Sequence, residues 1–520
     1  MKPIPIIDLF AGPGGLGEGF SSVKDNNGNF VFDIRLSIEK DESAHDTLLW
    51  RSFYRQFVLN GEIVPSEYYK AYRESDLRNR EEIIKKALAK YPQGEHASNE
   101  AQLLELGSKA WPAKKVDKLI KSRLGDKSGN WVLIGGPPCQ AYSNAGRSRV
   151  GGVSKDDHRV YLYKEYLRII KKHKPAVFVM ENVKGLLSAK VGNEKVFDWM
   201  KKDLVVGGKY ELHSFVKPAI ADKDYLIRSE DYGVPQQRHR VILLGVKKGL
   251  KHSGKYLEKL EEQINLESVI GKLPKVRSGI TKTFIGFKEK ELDKNGKPKR
   301  AYKIQQDSEE LWNSILTGFI DKMKVWDEIP LNGLSKGAKR FKNGVGAEFL
   351  PCTNTIENSH KLKDWYRGID SRKLKGVANH VSKGHMTQDL YRYLFSGLFV
   401  EKYGTFPRIN DYAKHSDELV PDHSNAKSGD FSDRFRVQIK DKPATTVTCH
   451  ISKDGHYFIH YDPEQCRSLT VREAARIQTF PDNYLFRGSR TQQFHQVGNA
   501  VPPYLARQLG EIVKSILEAK

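Results

Sequence analysis

Along the chain, short unbroken apolar runs alternate with longer stretches in which apolar positions recur every three or four residues. "PIPIIDLF" (3–10), "FVFDIRLSIEKD" (30–41), "WVLIGG" (131–136), "AVFVMEN" (176–182) and "RVILLGV" (240–246) are of the first kind. They predict strands buried on both faces of a mostly parallel sheet. "AGPGGLGEGF" (11–20) after the first run predicts a glycine turn opening a helix, and "YLYKEYLRIIKKH" (161–173) predicts a helix between two strands. This is the opening of a doubly wound α/β domain. Residues 45–130 are polar and helical in texture. In "REEIIKKALAKY", Ile84, Ala87, Leu88 and Tyr91 share a face, and the stretch is read as an insertion before the next core strand.

After residue 250 the texture changes. "KEKELDKNGKPKRAYK" carries an Asn295-Gly296 turn signal and predicts a basic surface hairpin. "GHMTQDLYRYLFSGLFVEKYG" has Leu390, Leu394 and Leu398 four apart and Gly404 as a stop, which predicts a packed helix. The remainder of 250–440 matches no named fold. "LTVREAARIQTFP" predicts a helix opened by a Thr470/Glu473 capping box and stopped at Pro481. "PYLARQLGEIVKSILEAK" predicts a final amphipathic helix.

Composition narrows the picture. A chain of 520 residues exceeds one ordinary core, so two domains or more are expected. The apolar share of 38% and charged share of 29% suit a globular protein and exclude a disordered one. No apolar run is long enough to span a bilayer, and "MKPIPIIDLFAGPGG" reads as a strand and turn, not a signal peptide. The four cysteines, Cys139, Cys352, Cys449 and Cys466, have no CxxC spacing, so no metal site is expected and a reducing compartment is. A net charge of +23 favours a polyanionic partner, most simply nucleic acid, although a lysine-rich coding style yields the same number.

Five constellations carry candidate chemistry. "GPGGLG" (12–17) fits a G-x-G-x-x-G loop after a strand, with Glu39 at the end of the next strand placed for a ribose diol. The loop admits NAD, FAD or S-adenosylmethionine, or only a tight turn. In "WVLIGGPPCQAYS", Cys139 stands just past a strand behind Pro137 and Pro138, which stiffen the loop. A lone cysteine is more often a small core residue, but this mounting, at the carboxyl end of a strand, suits a nucleophile. Glu181 in "AVFVMENVKG" occupies a like position; alone it is a solvated loop acid, and beside a thiol it is a proton donor. In "YGVPQQRHRVILLG", period two puts Arg238 and Arg240 on one face, able to hold an anion or a polar ring, unless they are exposed at a sheet edge. "QVGNAVPP" (496–503) reads as a rigid polar turn before the last helix, or a plain interdomain loop.

In this order the blocks "DLFAGPGG", "GGPPCQAYS", "ENVKG", "QQRHR", "RSLTVREAARIQTFPD" and "QVGNAVPP" resemble the DNA (cytosine-5) methyltransferases, of the prokaryotic stand-alone modification type. The resemblance covers roughly 4–40, 131–247 and 440–510. It implies a Rossmann-like S-adenosylmethionine-dependent catalytic domain over 1–250, a smaller target-recognition domain over 251–440, and a C-terminal return to the catalytic domain over 441–520. It implies methyl transfer to C5 of a flipped-out cytosine in a specific double-stranded DNA sequence. In that chemistry Cys139 adds to C6, Glu181 acts at N3, and Arg240, helped by Arg238, orients the base. Phe10, Gly12, Pro13, Gly14 and Glu39 would bind the cofactor, Pro138 and Leu162 flank it, and Asn499 and Val501 close over its methionine end. The family's adenine-contacting acid finds no place in the sequence, because the insertion hides its block.

The expected setting is a monomer at the bacterial nucleoid in the cytoplasm, with a cognate restriction endonuclease or another phage-defence component as candidate partner and no membrane. Three rivals stand beside this reading. A cytosine-5 RNA methyltransferase is opposed by the large variable region before "RSLTVREAARIQTFPD", and an inactive nucleic-acid-binding scaffold by the intact Cys139, Glu181 and Arg240 set. A nicotinamide-dependent oxidoreductase is supported by the glycine loop alone.

Overall fold

The computed structural model describes residues 2–125, 130–138, 158–191, 193–292, 296, 298–326, 328–329, 331, 334, 340–368, 370–421 and 434–519. Cys139, the residues to 157 that follow it, and Asn295 lie outside the described residues.

The first apolar run forms β1 (Ile4–Leu9), the second β2 (Phe32–Glu39). A short strand, β3 (Ala101–Leu103), pairs parallel with β2. β4 (Val132–Gly135) and β5 (Val177–Val183) are the runs on either side of the helix His158–His173. A two-residue hairpin, β6 (Lys190–Val191) with β7 (Glu194–Lys195), precedes β8 (Tyr210–His213), β9 (Leu226–Arg228) and β10 (His239–Lys247). The main sheet has the order β3-β2-β1-β4-β5-β10-β8, with β9 paired to β10.

Period two is visible in the packing. Ile7, Leu9, Leu133, Phe178, Met180 and Leu243 enter one apolar cluster with the helices 113–124, 158–173 and 196–204. Ile6, Ile34, Ile134, Val179, Ile242 and Leu244 enter another, against Leu16 and Phe20 of the helix Gly15–Ser21 and Leu505, Leu509 and Val513 of the helix Pro503–Glu518. The sheet is therefore buried on both faces, as apolar runs without alternation require.

Four details differ from the sequence-based expectation. β10 runs antiparallel to β5, β8 and β9, because an apolar run buried on both faces carries no signal of direction. The stretch 45–130 is not wholly an insertion, since it supplies β3 to the sheet. The helix opened by the Thr470/Glu473 capping box ends at Ile477, before Pro481, because Thr479 takes a left-handed φ of 62°. "QVGN" is the last turn of the helix Arg490–Asn499, so the turn begins only at Ala500.

The remaining strands are β11 (Gly279–Leu292), β12 (Pro298–Ile304), β13 (Gly346–Pro351), β14 (Gly376–Val381) and β15 (Gly384–Met386), in a three-stranded sheet β12-β11-β15 and a pair β13-β14. The helix Thr387–Tyr403 buries Leu390, Leu394 and Leu398 against Trp312, Leu316 and Ile320 of the helix Glu309–Met323, and Gly404 ends it at φ 67°.

Candidate active site

A cavity of about 350 Å³ opens beyond the carboxyl ends of β1, β2, β3, β4 and β5. Leu9 ends β1, and Phe10 and Gly12 both take φ near 58°, so the chain turns sharply before the helix at Gly15. The Gly12 amide donates to Glu39 Oε2 at 2.8 Å, and the amides of Lys40 and Asp41 donate to Oε1 at 2.8 Å each. Three backbone donors thus fix the Glu39 carboxylate at the mouth of the glycine turn. Beneath the turn, burial holds the Asp8 carboxyl well above its usual range, against the pull of Arg55.

β4 and β5 deliver the next groups. Gly136, Pro137 and Pro138 line the cavity directly after β4, and Glu181 lines it from the end of β5. Arg240 Nε lies 2.8 Å from Glu181 Oε1, across the antiparallel pairing of β10 with β5, and both side chains are about 15% exposed. A Cβ on Gly136 would stand 3.1 Å from Glu181 Oε2, so glycine there keeps that carboxylate's second oxygen clear. Arg238 is buried and donates from Nη1 to the Val447 carbonyl at 2.9 Å. Period two holds: Arg238 and Arg240 both line the cavity, while His239 turns to Glu230 at 2.8 Å.

The far wall comes from the chain's end. His495, Gln496, Gly498, Asn499, Ala500 and Val501 line it. A Cβ on Gly15 would lie 2.3 Å from the Val501 carbonyl oxygen, so the glycine turn and the late turn meet backbone to backbone. The Tyr484 hydroxyl donates to the Pro13 carbonyl. Gln478 Nε2 donates to the Val497 carbonyl at 2.7 Å and the Ala500 carbonyl at 3.1 Å, while its Oε1 accepts from Gln236 Nε2 at 2.7 Å. One buried glutamine pair thus links the arginine block to the last wall.

Of the residues singled out from the sequence, Phe10, Gly12, Pro13, Glu39, Pro138, Leu162, Glu181, Arg238, Arg240, Asn499 and Val501 line this cavity. Gly14 does not; it is packed against Leu48 and Tyr484 behind the turn. Sequence reasoning missed Leu104, Glu105 and Leu106, which line the cavity just past β3. Glu105 pairs with Lys40 at 3.2 Å, beside the Glu39 mouth. The signal was the short strand "AQL" followed two residues later by an acid, lost among helices in a three-residue run.

The chemistry of this lining fits S-adenosylmethionine. Phe10, Leu16, Ile38, Leu106 and Leu162 offer apolar faces for a flat heterocycle, Glu39 offers a fixed carboxylate for a diol, and the volume is that of a small-molecule site. A Cβ on Gly12 would meet no protein atom within 4 Å, so the turn's backbone faces open space.

A mainly parallel α/β sheet with a heterocycle-sized cavity at its carboxyl edge, and an arginine–carboxylate pair inside it, defines a cofactor-dependent group-transfer enzyme. The chain belongs to the C-5 cytosine-specific DNA methylases: the family model matches residues 112–515. It is a DNA (cytosine-5-)-methyltransferase, with the Rossmann-like fold of that class. It is 32% identical over 525 residues to the type II methyltransferase M.Bpa9945I of Bacillus paralicheniformis, covering 98% of this chain and 99% of the relative. It is 28% identical over 410 residues to the DNA (cytosine-5-)-methyltransferase M.ApeKI of Aeropyrum pernix, covering 75% of this chain and 82% of the relative. A crystal structure described as a prophage-encoded DNA modification methyltransferase of E. coli shares the fold, with a TM-score of 0.53 and 18% identity over 99% of both chains. No helix among the described residues is long and apolar enough to cross a membrane.

Proposed function

We propose that this enzyme methylates C5 of a cytosine flipped out of a specific duplex sequence, through a covalent bond between Cys139 and C6 of the base. The observation that carries the reading is the cavity in which Glu39, Glu105, Glu181 and Arg240 meet Pro138, the residue before Cys139. S-adenosylmethionine would supply an electrophilic methyl group. Glu39 and Glu105 would take its ribose and adenine ends, and Asn499 and Val501 would wall off its methionine end.

C5 of cytosine is a poor nucleophile. Addition of the Cys139 thiolate to C6 moves electron density to C5 and so activates it. Glu181, protonated on Oε2, would donate that proton to N3 as charge builds on the ring, while its Oε1 accepts from Arg240. Arg240 then orients carboxylate and base together, and Arg238 keeps the strand end in place through Val447. After C5 is methylated, its proton passes to water, the C5–H electron pair re-forms the C5=C6 double bond, and the C6–S pair leaves with Cys139 as its thiolate. A stacked base cannot enter a cavity of this kind, so it must leave the helix, at a cost of about a few kcal/mol.

Residues 251–440 would recognise the target and 441–520 close the catalytic domain. Relatives named as type II methyltransferases support a cognate restriction endonuclease as the companion activity. The enzyme would work as a monomer on the bacterial nucleoid. The test is genome-wide cytosine methylation mapping in a methylation-free bacterial host expressing wild type or Cys139→Ser. Wild type should mark one short motif and the variant none. Marking by the variant overturns the covalent step. Absence of marking by soluble wild type that binds S-adenosylmethionine overturns the DNA target and turns the search to RNA.

A further inference from the structure

β11 and β12 extend well past the sheet that anchors them. β11 pairs with β15 only from Gly279 to Lys282, and beyond that point its ladder partner is β12 alone. The base is fixed: Thr283 Oγ1 lies 2.7 Å from Thr387 Oγ1, and Gln388 bonds both the amide and the carbonyl of Phe284 at 3.1 Å. Outward from there the ribbon leaves Ile285 63%, Phe287 52% and Leu292 59% exposed, and at the base Ile304, opposite Lys282, is 77% exposed, which marks a surface waiting for a partner.

Its two faces differ. A register shift between Phe284 and Gly286 puts Phe287 opposite Arg300, on the same side as the Phe284–Tyr302 pair. The Phe284 ring centroid is 5.4 Å from Phe287 and 5.9 Å from Tyr302, and Lys282 Nζ sits 4.0 Å above Tyr302. One face is thus a ladder of aromatic rings flanked by a lysine and an arginine. Residues 282–304 hold eight Lys or Arg against three Asp or Glu. That charge selects the occupant: a second copy of a chain at +23 would be repelled, whereas duplex DNA would be attracted.

We propose that the β11–β12 ribbon is the sequence-reading element of this enzyme. It enters the major groove of the substrate duplex, with Arg300 at a base edge and Phe287 packed beside it on the bases. The inference rests on the DNA-methylating reading above. A two-stranded ribbon fits the major groove, and an arginine's planar fork pairs bidentately with guanine O6 and N7.

The test maps methylation for wild type, Arg300→Ala and Phe287→Ala, with single-turnover rates on the mapped motif and on duplexes differing from it by one base pair. Arg300→Ala should make the motif degenerate at one position and cut discrimination there at least tenfold. Phe287→Ala should slow the cognate duplex more than its neighbours. Variants that mark the wild-type motif with wild-type discrimination overturn the proposal, as does an equal fall on cognate and neighbouring duplexes. A wild type that marks no DNA instead removes the functional reading, and this inference with it.

Discussion

Replacing Gly15 by alanine tests whether the late turn is the movable wall of the cavity and whether that cavity is the proposed S-adenosylmethionine site. The added Cβ would stand 2.3 Å from the Val501 carbonyl oxygen, 3.2 Å from its nitrogen and 3.3 Å from the Ala500 Cβ. Ordinary contact begins near 3.4 Å, so about 1 Å of space must be found between two backbones. Neither can give way by rotating a side chain. Overpacking of this kind costs about 1–3 kcal/mol. The helix 15–21 is pinned behind, where Gly19 already meets Ala506 and the Pro503 carbonyl, so relief must come from Ala500 and Val501. Those two line the cavity with Asn499. If the strain falls wholly on the bound state's wall, affinity for S-adenosylmethionine drops about 5- to 150-fold. Titration calorimetry with the cofactor, alongside thermal unfolding, reads both consequences. A variant that binds within twofold of wild type and melts within a degree of it would refute the reasoning.

Four further outcomes follow from the same structure. Glu181→Gln keeps the shape but weakens the Arg240 pair and removes the acid, so methyl transfer should fall by about 10²–10⁴ with cofactor affinity unchanged, read by single-turnover kinetics and calorimetry. Glu473→Gln breaks a buried bidentate pair with Arg467, at 2.6 and 2.7 Å, that holds the carboxylate far below its usual range against burial, and should lower unfolding free energy by about 3–5 kcal/mol in urea. Gly318→Ala, inside the helix Glu309–Met323 with nothing within 4 Å of the new Cβ, should leave activity alone and gain about 0.5–1 kcal/mol in the same urea assay. Burial pushes His380 down to about 4 and His385 to about 3, below the unfolded value of 6.5. The unfolded chain therefore binds protons first as pH falls. Stability should be intact above pH 6.5 and decline toward pH 4, with His380 alone accounting for about 3 kcal/mol, checked by urea midpoints across that range.

The parts of the fold legible in the sequence are those set by local rules. Five apolar runs became strands of one sheet, Leu390, Leu394 and Leu398 became a buried helix stripe, and Thr470 with Glu473 formed the capping box. Strand direction was not legible, because antiparallel β10 and the mutually parallel β1, β4 and β5 bury the same kind of residue on both faces. β3 was missed because three residues make no period, and with it went Glu105. At the site, residue types could be named but not their partners. That Arg240 would bond Glu181, and Arg238 a carbonyl two hundred residues away, depends on a sheet order that no local pattern encodes.

The helices between β2 and β3 show why such a stretch is tolerated inside a catalytic domain. They do not simply decorate its surface. Tyr68 and Tyr72 donate to the carbonyls of Asn483 and Asp482, at 2.9 and 2.6 Å, and Arg51 reaches the Asn483 side chain at 3.1 Å while pairing with Glu18 of the first helix at 2.5 Å. The Arg487 amide donates to Thr47 Oγ1, and Gln496 Nε2 donates to the Ser43 carbonyl. Each bond joins residues more than four hundred apart, or the insertion to the glycine turn, and each is buried away from competing water. The segment carrying Tyr484, Gln496 and Asn499 has the single helix Arg490–Asn499 between irregular stretches to hold it against the cavity. The inserted helices add support from outside, so the last wall of the cavity is set by the insertion as much as by the sheet.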